Sequence, residues 1–331
     1  MKNIYEHLSQ NDPWFCFFAI ESYMKALNIE LNIENQIKAL INYQRDYNFD
    51  LVFPRMDLDE YVDFISKVKT KKDKISKSKD WVNYSPNQIF NTPDIPQISK
   101  SSTYQVLKAI RDYRNSGNTF NYIGGFIPAP YTLVSLVLDL QTVSELVIFE
   151  PDFLRKMVEF ITPIIKKYAE SLSNFVDTFF ILAPSECTIM KTSYINLVQK
   201  SMNQLIHYCV SELNIPTIMH MCATKNKNVV NEEVIKLMKK AGISGLNIPN
   251  IIENTPLAQK YDLILCGGID PVQIQLEPFE NTFEKISSLL RKIKSNKFIL
   301  ATNCQIKWAP DQISSEELIN LFFKLQSIAK N

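Results

Sequence analysis

Eight short apolar runs, alternating with longer stretches of helical character, restrict this chain more than any other feature. The runs are Trp14 to Ile20, Phe49 to Phe53, Phe120 to Phe126, Thr178 to Leu182, Pro216 to His220, Gly245 to Ile248, Leu263 to Cys266 and Phe298 to Thr302. Helices are expected over Ile33 to Tyr47, Thr103 to Ser116, Thr132 to Leu140, Pro151 to Phe175, Tyr194 to Leu213, Glu232 to Ala241, Phe279 to Lys294 and Ser315 to Ala329. Ser314 and Glu317 stand in capping-box spacing at the start of the last helix, where serine and glutamate satisfy backbone N–H groups left free. Short β-type runs alternating with helices are the pattern of a parallel sheet.

Eight such units predict a closed α/β structure, a (β/α)8 TIM barrel, as a single domain over residues 1–331 with an amino-terminal helical extension. No Gly-x-Gly-x-x-Gly follows the first run, which leaves the open dinucleotide-binding sheet without support. The segment from Thr70 to Pro96 fits neither pattern and carries lysines 71, 72, 74, 77 and 79. It reads as an excursion between the second and third units, a solvated charged loop in preference to a docking surface for an acidic partner.

Composition narrows the function classes. A formal charge of +1 gives no electrostatic case for nucleic acid or an anionic membrane. No run approaches the roughly 18 uninterrupted apolar residues of a membrane span. The amino terminus lacks the basic start, apolar stretch and small-residue cleavage site of a secretory signal, so a cytoplasmic location is expected. Six scattered cysteines, at 16, 187, 209, 222, 266 and 304, then argue against a disulfide framework. Several fall at or near expected strand ends, which suits thiolates at an active face.

Chemistry concentrates at two of those ends. His220 and Cys222 close an extended apolar run, and side chains two apart on a strand point to the same side. Cys304 follows a second such run. In a barrel of this kind active sites lie at the carboxyl ends of the strands, so all three residues fall on the functional face. They read as three ligands of one zinc ion, beside the plainer reading of buried cysteines and a structural histidine.

Phe126-Ile127-Pro128-Ala129-Pro130-Tyr131-Thr132-Leu133, Phe149-Glu150-Pro151 and Gly267-Gly268-Ile269-Asp270-Pro271 together resemble the uroporphyrinogen decarboxylase superfamily. With His220-x-Cys222 and Cys304 the chain resembles its zinc-dependent branch, the methylcobalamin:coenzyme M and related corrinoid methyltransferases. That resemblance implies Zn²⁺ held by His220, Cys222 and Cys304. It also implies methyl transfer from methylcobalamin or a methylated corrinoid protein to a small thiol such as coenzyme M. The decarboxylase itself uses an arginine-rich amino-terminal segment to bind a substrate with eight carboxylates, and the first forty-four residues here contain no arginine. Two thiolates and a neutral imidazole cancel the charge of Zn²⁺, a ligand set suited to activating a thiol, whereas three histidines favour hydroxide formation.

The chain departs from the family pattern in two places. Where many relatives place an exchangeable glutamate ligand after the sixth strand, it reads Leu246-Asn247-Ile248-Pro249-Asn250, leaving the fourth position to water in preference to Glu253. Where relatives commonly have Asp-Pro after the fourth strand it reads Ala183-Pro184-Ser185-Glu186-Cys187, with Glu186 and Cys187 as substitutes lining the pocket. Asp270 is a candidate for holding a histidine ligand or a polar substrate group, and equally for capping the next helix. Cys16, Cys209 and Cys266 read as buried packing, His207 as structural and His7 as solvated. Alternatives to the thiol acceptor are homocysteine or a folate, and a non-catalytic corrinoid- or tetrapyrrole-binding barrel that keeps zinc for stability.

Overall fold

Each apolar run becomes a parallel strand, and the strands are buried because helices cover the outer face while side chains fill the inner one. The computed structural model describes residues 8, 14–57, 85–89, 95–221, 231–293 and 297–330. Apart from Leu8, the expected amino-terminal extension lies outside the described residues, as does most of the lysine-bearing excursion. The strands are β1 (Trp14–Cys16), β2 (Leu51–Val52), β3 (Tyr122–Pro128), β4 (Thr178–Leu182), β5 (Thr217–His220), β6 (Gly245–Asn247), β7 (Ile264–Ile269) and β8 (Phe298–Thr302). Their order is β1-β8-β7-β6-β5-β4-β3-β2, and all seven pairings are parallel. Asp50 nearly closes the ring: its N–H donates to the Phe15 carbonyl at 3.1 Å, and its carboxylate accepts from Phe15 N–H at 2.9 Å. This is the (β/α)8 barrel that the alternation implies.

Helices α1 (Ile20–Ala26) and α2 (Ile33–Tyr47) separate β1 from β2, and α3 (Ser102–Asn115) precedes β3. Between β3 and β4 run α4 (Pro130–Leu138), α5 (Leu140–Phe149) and α6 (Pro151–Leu172). Then α7 (Lys191–Leu197), α8 (Gln199–His207) and a π-helical turn (Tyr208–Glu212) lead to β5. Next come α9 (Glu232–Lys240), α10 (Ile251–Lys260), α11 (Phe279–Lys292) and, after β8, α12 (Ser315–Lys330). Among the described residues no single helix is long and apolar enough to cross a membrane.

The departures from the sequence expectations have local causes. The first strand stops at Cys16 because Phe18 N–H turns to Thr302 Oγ1 at 3.1 Å while the Phe18 carbonyl accepts from Ile306 N–H at 2.8 Å. Ile20 therefore opens a helix instead of ending a strand. The helix expected over 194–213 breaks at Val198 and ends in the π turn, where Leu213 N–H reaches Tyr208 O at 2.9 Å. Helix α10 was not expected, and Pro256 inside it is a helix breaker by local preference. Nor was α5, which starts where Asp139, at φ +79°, accepts the Thr142 N–H at 2.8 Å. The capping box at Ser314 forms as expected: the Glu317 carboxylate accepts from Ser314 N–H at 2.9 Å, and Ser314 Oγ accepts from Glu317 N–H at 3.2 Å.

The interior of the barrel is aromatic on one side. Phe18, Phe53, Phe126 and Phe180, from the ends or bodies of β1 to β4, meet with ring centroids 4.6–6.5 Å apart. Gly124 makes room for them, since a Cβ there would lie 2.1 Å from the Phe53 ring. At the opposite, amino-terminal end of the strands, Asp177 takes a two-pronged bond from Arg114 (2.7 and 2.9 Å), another from Arg111 (3.0 Å) and the Ile123 N–H (2.8 Å). That cluster ties α3 to β3 and β4 on the face that carries stability.

Candidate functional site

The carboxyl ends of β5 to β8 converge on one side chain. Asn247, the last residue of β6, is fully buried. Its Oδ1 pairs with Nδ1 of His220, the last residue of β5. Its amide nitrogen donates to the Cys266 carbonyl of β7 at 3.1 Å and to Cys266 Sγ at 3.3 Å, with the Thr302 carbonyl of β8 at 3.5 Å. One asparagine thus spans four strands. His220 is 2% exposed and stands edge-on to Phe18, at a centroid distance of 5.7 Å and 87° between ring planes. Its backbone is held on both sides, the carbonyl by Ala183 N–H at 2.9 Å and the following Met221 N–H by the Asn247 carbonyl at 2.9 Å.

Cys304 follows β8 by two residues and is half-buried. The turn that carries it is anchored by Asn303, whose N–H donates to Ile269 O and whose Oδ1 accepts from Gly268 N–H, both at 2.8 Å. Gly267 and Gly268 adopt φ of +139° and +100°. A Cβ on Gly267 would sit 2.6 Å from the Ile248 carbonyl and 2.8 Å from Asn303 Oδ1, so this approach of β7 to the Cys304 turn needs glycine. On the far side, Ser22 Oγ donates to Ile306 O at 2.5 Å and accepts from Trp308 N–H at 2.8 Å. Of the expected ligands, His220 therefore ends β5 and Cys304 follows the end of β8 by two residues, and Asn247 bridges those two strand ends. Cys222 falls outside the described residues. Among the described residues no three His, Cys, Asp or Glu side chains gather as a metal would require.

Glu186 sits in a turn after β4 (Ser185–Cys187) with no exposed surface. Its Oε1 accepts the Thr132 N–H at 3.1 Å, and its Oε2 accepts from the Thr132 hydroxyl. It thereby caps α4 from another loop. Burial outweighs these hydrogen bonds and pushes the carboxyl up to about 7. Both oxygens are engaged, so Glu186 meets the interior of the rim and not an open pocket. Asp270 takes the capping alternative: its Oδ1 accepts the N–H groups of Val272 at 2.8 Å and Gln273 at 3.1 Å. The role of holding His220 Nδ1 belongs to Asn247.

Three cysteines behave as packing. Cys16, Cys209 and Cys266 are fully buried, and burial raises all three thiols, Cys209 to about 12. The expectation of thiolates near the strand ends fails for both Cys16 and Cys266: Cys16 ends β1 but burial keeps its thiol protonated, and Cys266 lies inside β7, which continues to Ile269. His207 is exposed on α8, with Nδ1 3.2 Å from Ser211 Oγ. The sequence alone assigns no role to Asn247 or Asn303. An asparagine closing an apolar run was the available signal for the first.

Solved structures with the same architecture include a methyltransferase from Methanosarcina mazei, with TM-score 0.68, 16% identity and coverage of 95% of this chain and 94% of that one. A B12-independent methionine synthase from Shewanella sp. W3-18-1 in complex with selenomethionine aligns at TM-score 0.53 and 14% identity, over 90% and 87%. A putative vitamin-B12 independent methionine synthase from Listeria monocytogenes aligns at 0.52 and 12%, over 97% and 96%. Comparison with curated protein sequences finds no match. The uroporphyrinogen decarboxylase (URO-D) profile matches residues 19–321. With nearly the whole barrel inside that match, this chain belongs to the uroporphyrinogen decarboxylase family.

Proposed function

We propose that the protein is a zinc-dependent methyltransferase that moves a methyl group from a methylated corrinoid, free or on a corrinoid protein, to a small thiol such as coenzyme M. The observation that carries this reading is the Asn247 bridge, which links the end of β5, bearing His220, to the end of β8, two residues before Cys304. His220, Cys222 and Cys304 are the residues that would hold the metal. Two thiolates and an imidazole neutralise Zn²⁺, and no charged group among the described residues hydrogen-bonds to His220 to upset that balance. When bound, zinc lowers the pKa of a substrate thiol, so that it is presented as a thiolate.

The chain's own residues do the rest. Phe18 and its aromatic neighbours line the side of the barrel next to His220, where they exclude water and strengthen electrostatic contacts. Glu186 fixes the rim by clamping α4 to the loop after β4. Asp270 shapes the turn after β7 and offers its second oxygen to a polar group of the substrate. That the similar M. mazei protein is a methyltransferase supports this class of reaction. The two structurally similar methionine synthases favour, as a second reading, an acceptor whose methylation yields methionine.

The test is turnover of free methylcobalamin with a panel of thiols, followed by the cobalt spectrum, on protein whose zinc content has been measured. Demethylation with at least one thiol, lost on chelation and restored by zinc, is the expected result. No demethylation with any thiol refutes the methyltransferase reading and leaves a non-catalytic binding barrel.

A further inference from the structure

We infer that Asn247 sets the tautomer of His220, holding the proton on Nδ1 and leaving Nε2 as the nitrogen offered to a ligand. The two ends of the Asn247 amide are distinguished by what they face. One end lies against the carbonyl oxygens of Cys266, at 3.1 Å, and Thr302, at 3.5 Å. A carbonyl oxygen only accepts, so that end must be the NH2 group. The other end is therefore Oδ1, and it faces His220 Nδ1. An oxygen without a proton in turn requires Nδ1 to carry one. The opposite tautomer would set two lone pairs against each other in a site where Asn247 is fully buried and His220 only 2% exposed, an arrangement that low local dielectric makes costly.

The strands enforce this arrangement. Asn247 cannot turn its amide over without losing both strand carbonyls, and the Phe18 ring packed edge-on limits rotation of the imidazole. Asp270, the carboxylate named in the sequence for the same work, spends Oδ1 on the Val272 and Gln273 N–H groups. Asn247 is thus a positioning residue that acts through His220. Its relevance to a metal rests on the zinc reading above, whereas the tautomer itself can be read without metal.

The chain has three histidines, so ¹⁵N spectra of histidine-labelled, metal-free protein resolve each ring in mildly alkaline solution, where histidine is neutral. His220 is expected in the Nδ1–H form. Asn247→Ala should return it to a mixture weighted to Nε2–H. The same variant should weaken zinc binding on the order of 10–100-fold in competition with a chromophoric chelator, the usual cost of losing a ligand's hydrogen-bond partner. Asn247→Asp keeps an acceptor for Nδ1–H but loses the donors to Cys266 and Thr302. It should unfold more easily than wild type yet retain the Nδ1–H tautomer, which separates positioning from a purely structural role. A wild-type His220 protonated on Nε2, or a folded Asn247→Ala protein with unchanged tautomer and zinc affinity, overturns the inference. Wild-type protein that shows Nδ1–H but binds no zinc upholds it and refutes the zinc reading instead.

Discussion

Glu186→Gln should make the folded protein less sensitive to pH, because the wild-type carboxyl sits where its charge is unwelcome. Its pKa is raised from 4.5 to about 7, with burial the largest cause and the Thr132 hydroxyl and N–H acting against it. At about 1.4 kcal/mol per pH unit this disfavours the ionised folded form by about 3 kcal/mol. Between the two values the folded state holds a proton that the unfolded chain has released, so stability falls as pH rises. The contribution is fully present below 4.5 and is lost by the time pH has passed about 7. Glutamine can still accept the Thr132 N–H, and its amide nitrogen can donate to the Thr132 hydroxyl, but it carries no ionisable group. Urea unfolding of wild type and Glu186→Gln at steps between pH 5 and 8 tests the reasoning. The difference in unfolding free energy should grow in favour of the variant as pH rises, by about 3 kcal/mol across the whole window. Parallel curves for the two proteins would show that Glu186 ionises in the folded state as readily as in water, and would refute the argument from burial.

Other expectations follow from the same structure. Asp177→Ala leaves Arg111 and Arg114 without their shared carboxylate and Ile123 N–H without an acceptor. It should cost about 3 kcal/mol in urea unfolding. Gly124→Ala drives a methyl group to within 2.1 Å of the Phe53 ring and should lower stability by roughly 1–3 kcal/mol, read as a drop in Tm. Cys304→Ser, in a half-buried turn anchored by Asn303, should keep the far-ultraviolet circular dichroism of wild type and, as a ligand of the proposed zinc site, lose zinc on dialysis. Full zinc retention would remove Cys304 from the ligand set.

Local sequence determined the elements and much of their order. Fully buried parallel strands read as apolar runs, so Thr178–Leu182 and Phe298–Thr302 were legible to the residue. Ile33–Tyr47 was equally clear, and the capping box at Ser314 needs only four consecutive residues. That His220 ends one strand and Cys304 closely follows another was readable for the same reason, since it depends on where a run stops. Tertiary structure alone decided which side chains those ends would meet. The Asn247 amide reaches carbonyls of β7 and β8 that lie 19 and 55 residues away, and only the register of the closed sheet brings them within hydrogen-bonding distance. Glu186 likewise looked like a pocket residue until the loop after β4 folded over the start of α4 and buried it against Thr132. Periodicity and end signals act between near neighbours, whereas the satisfaction of a buried polar group depends on partners that only the assembled barrel supplies.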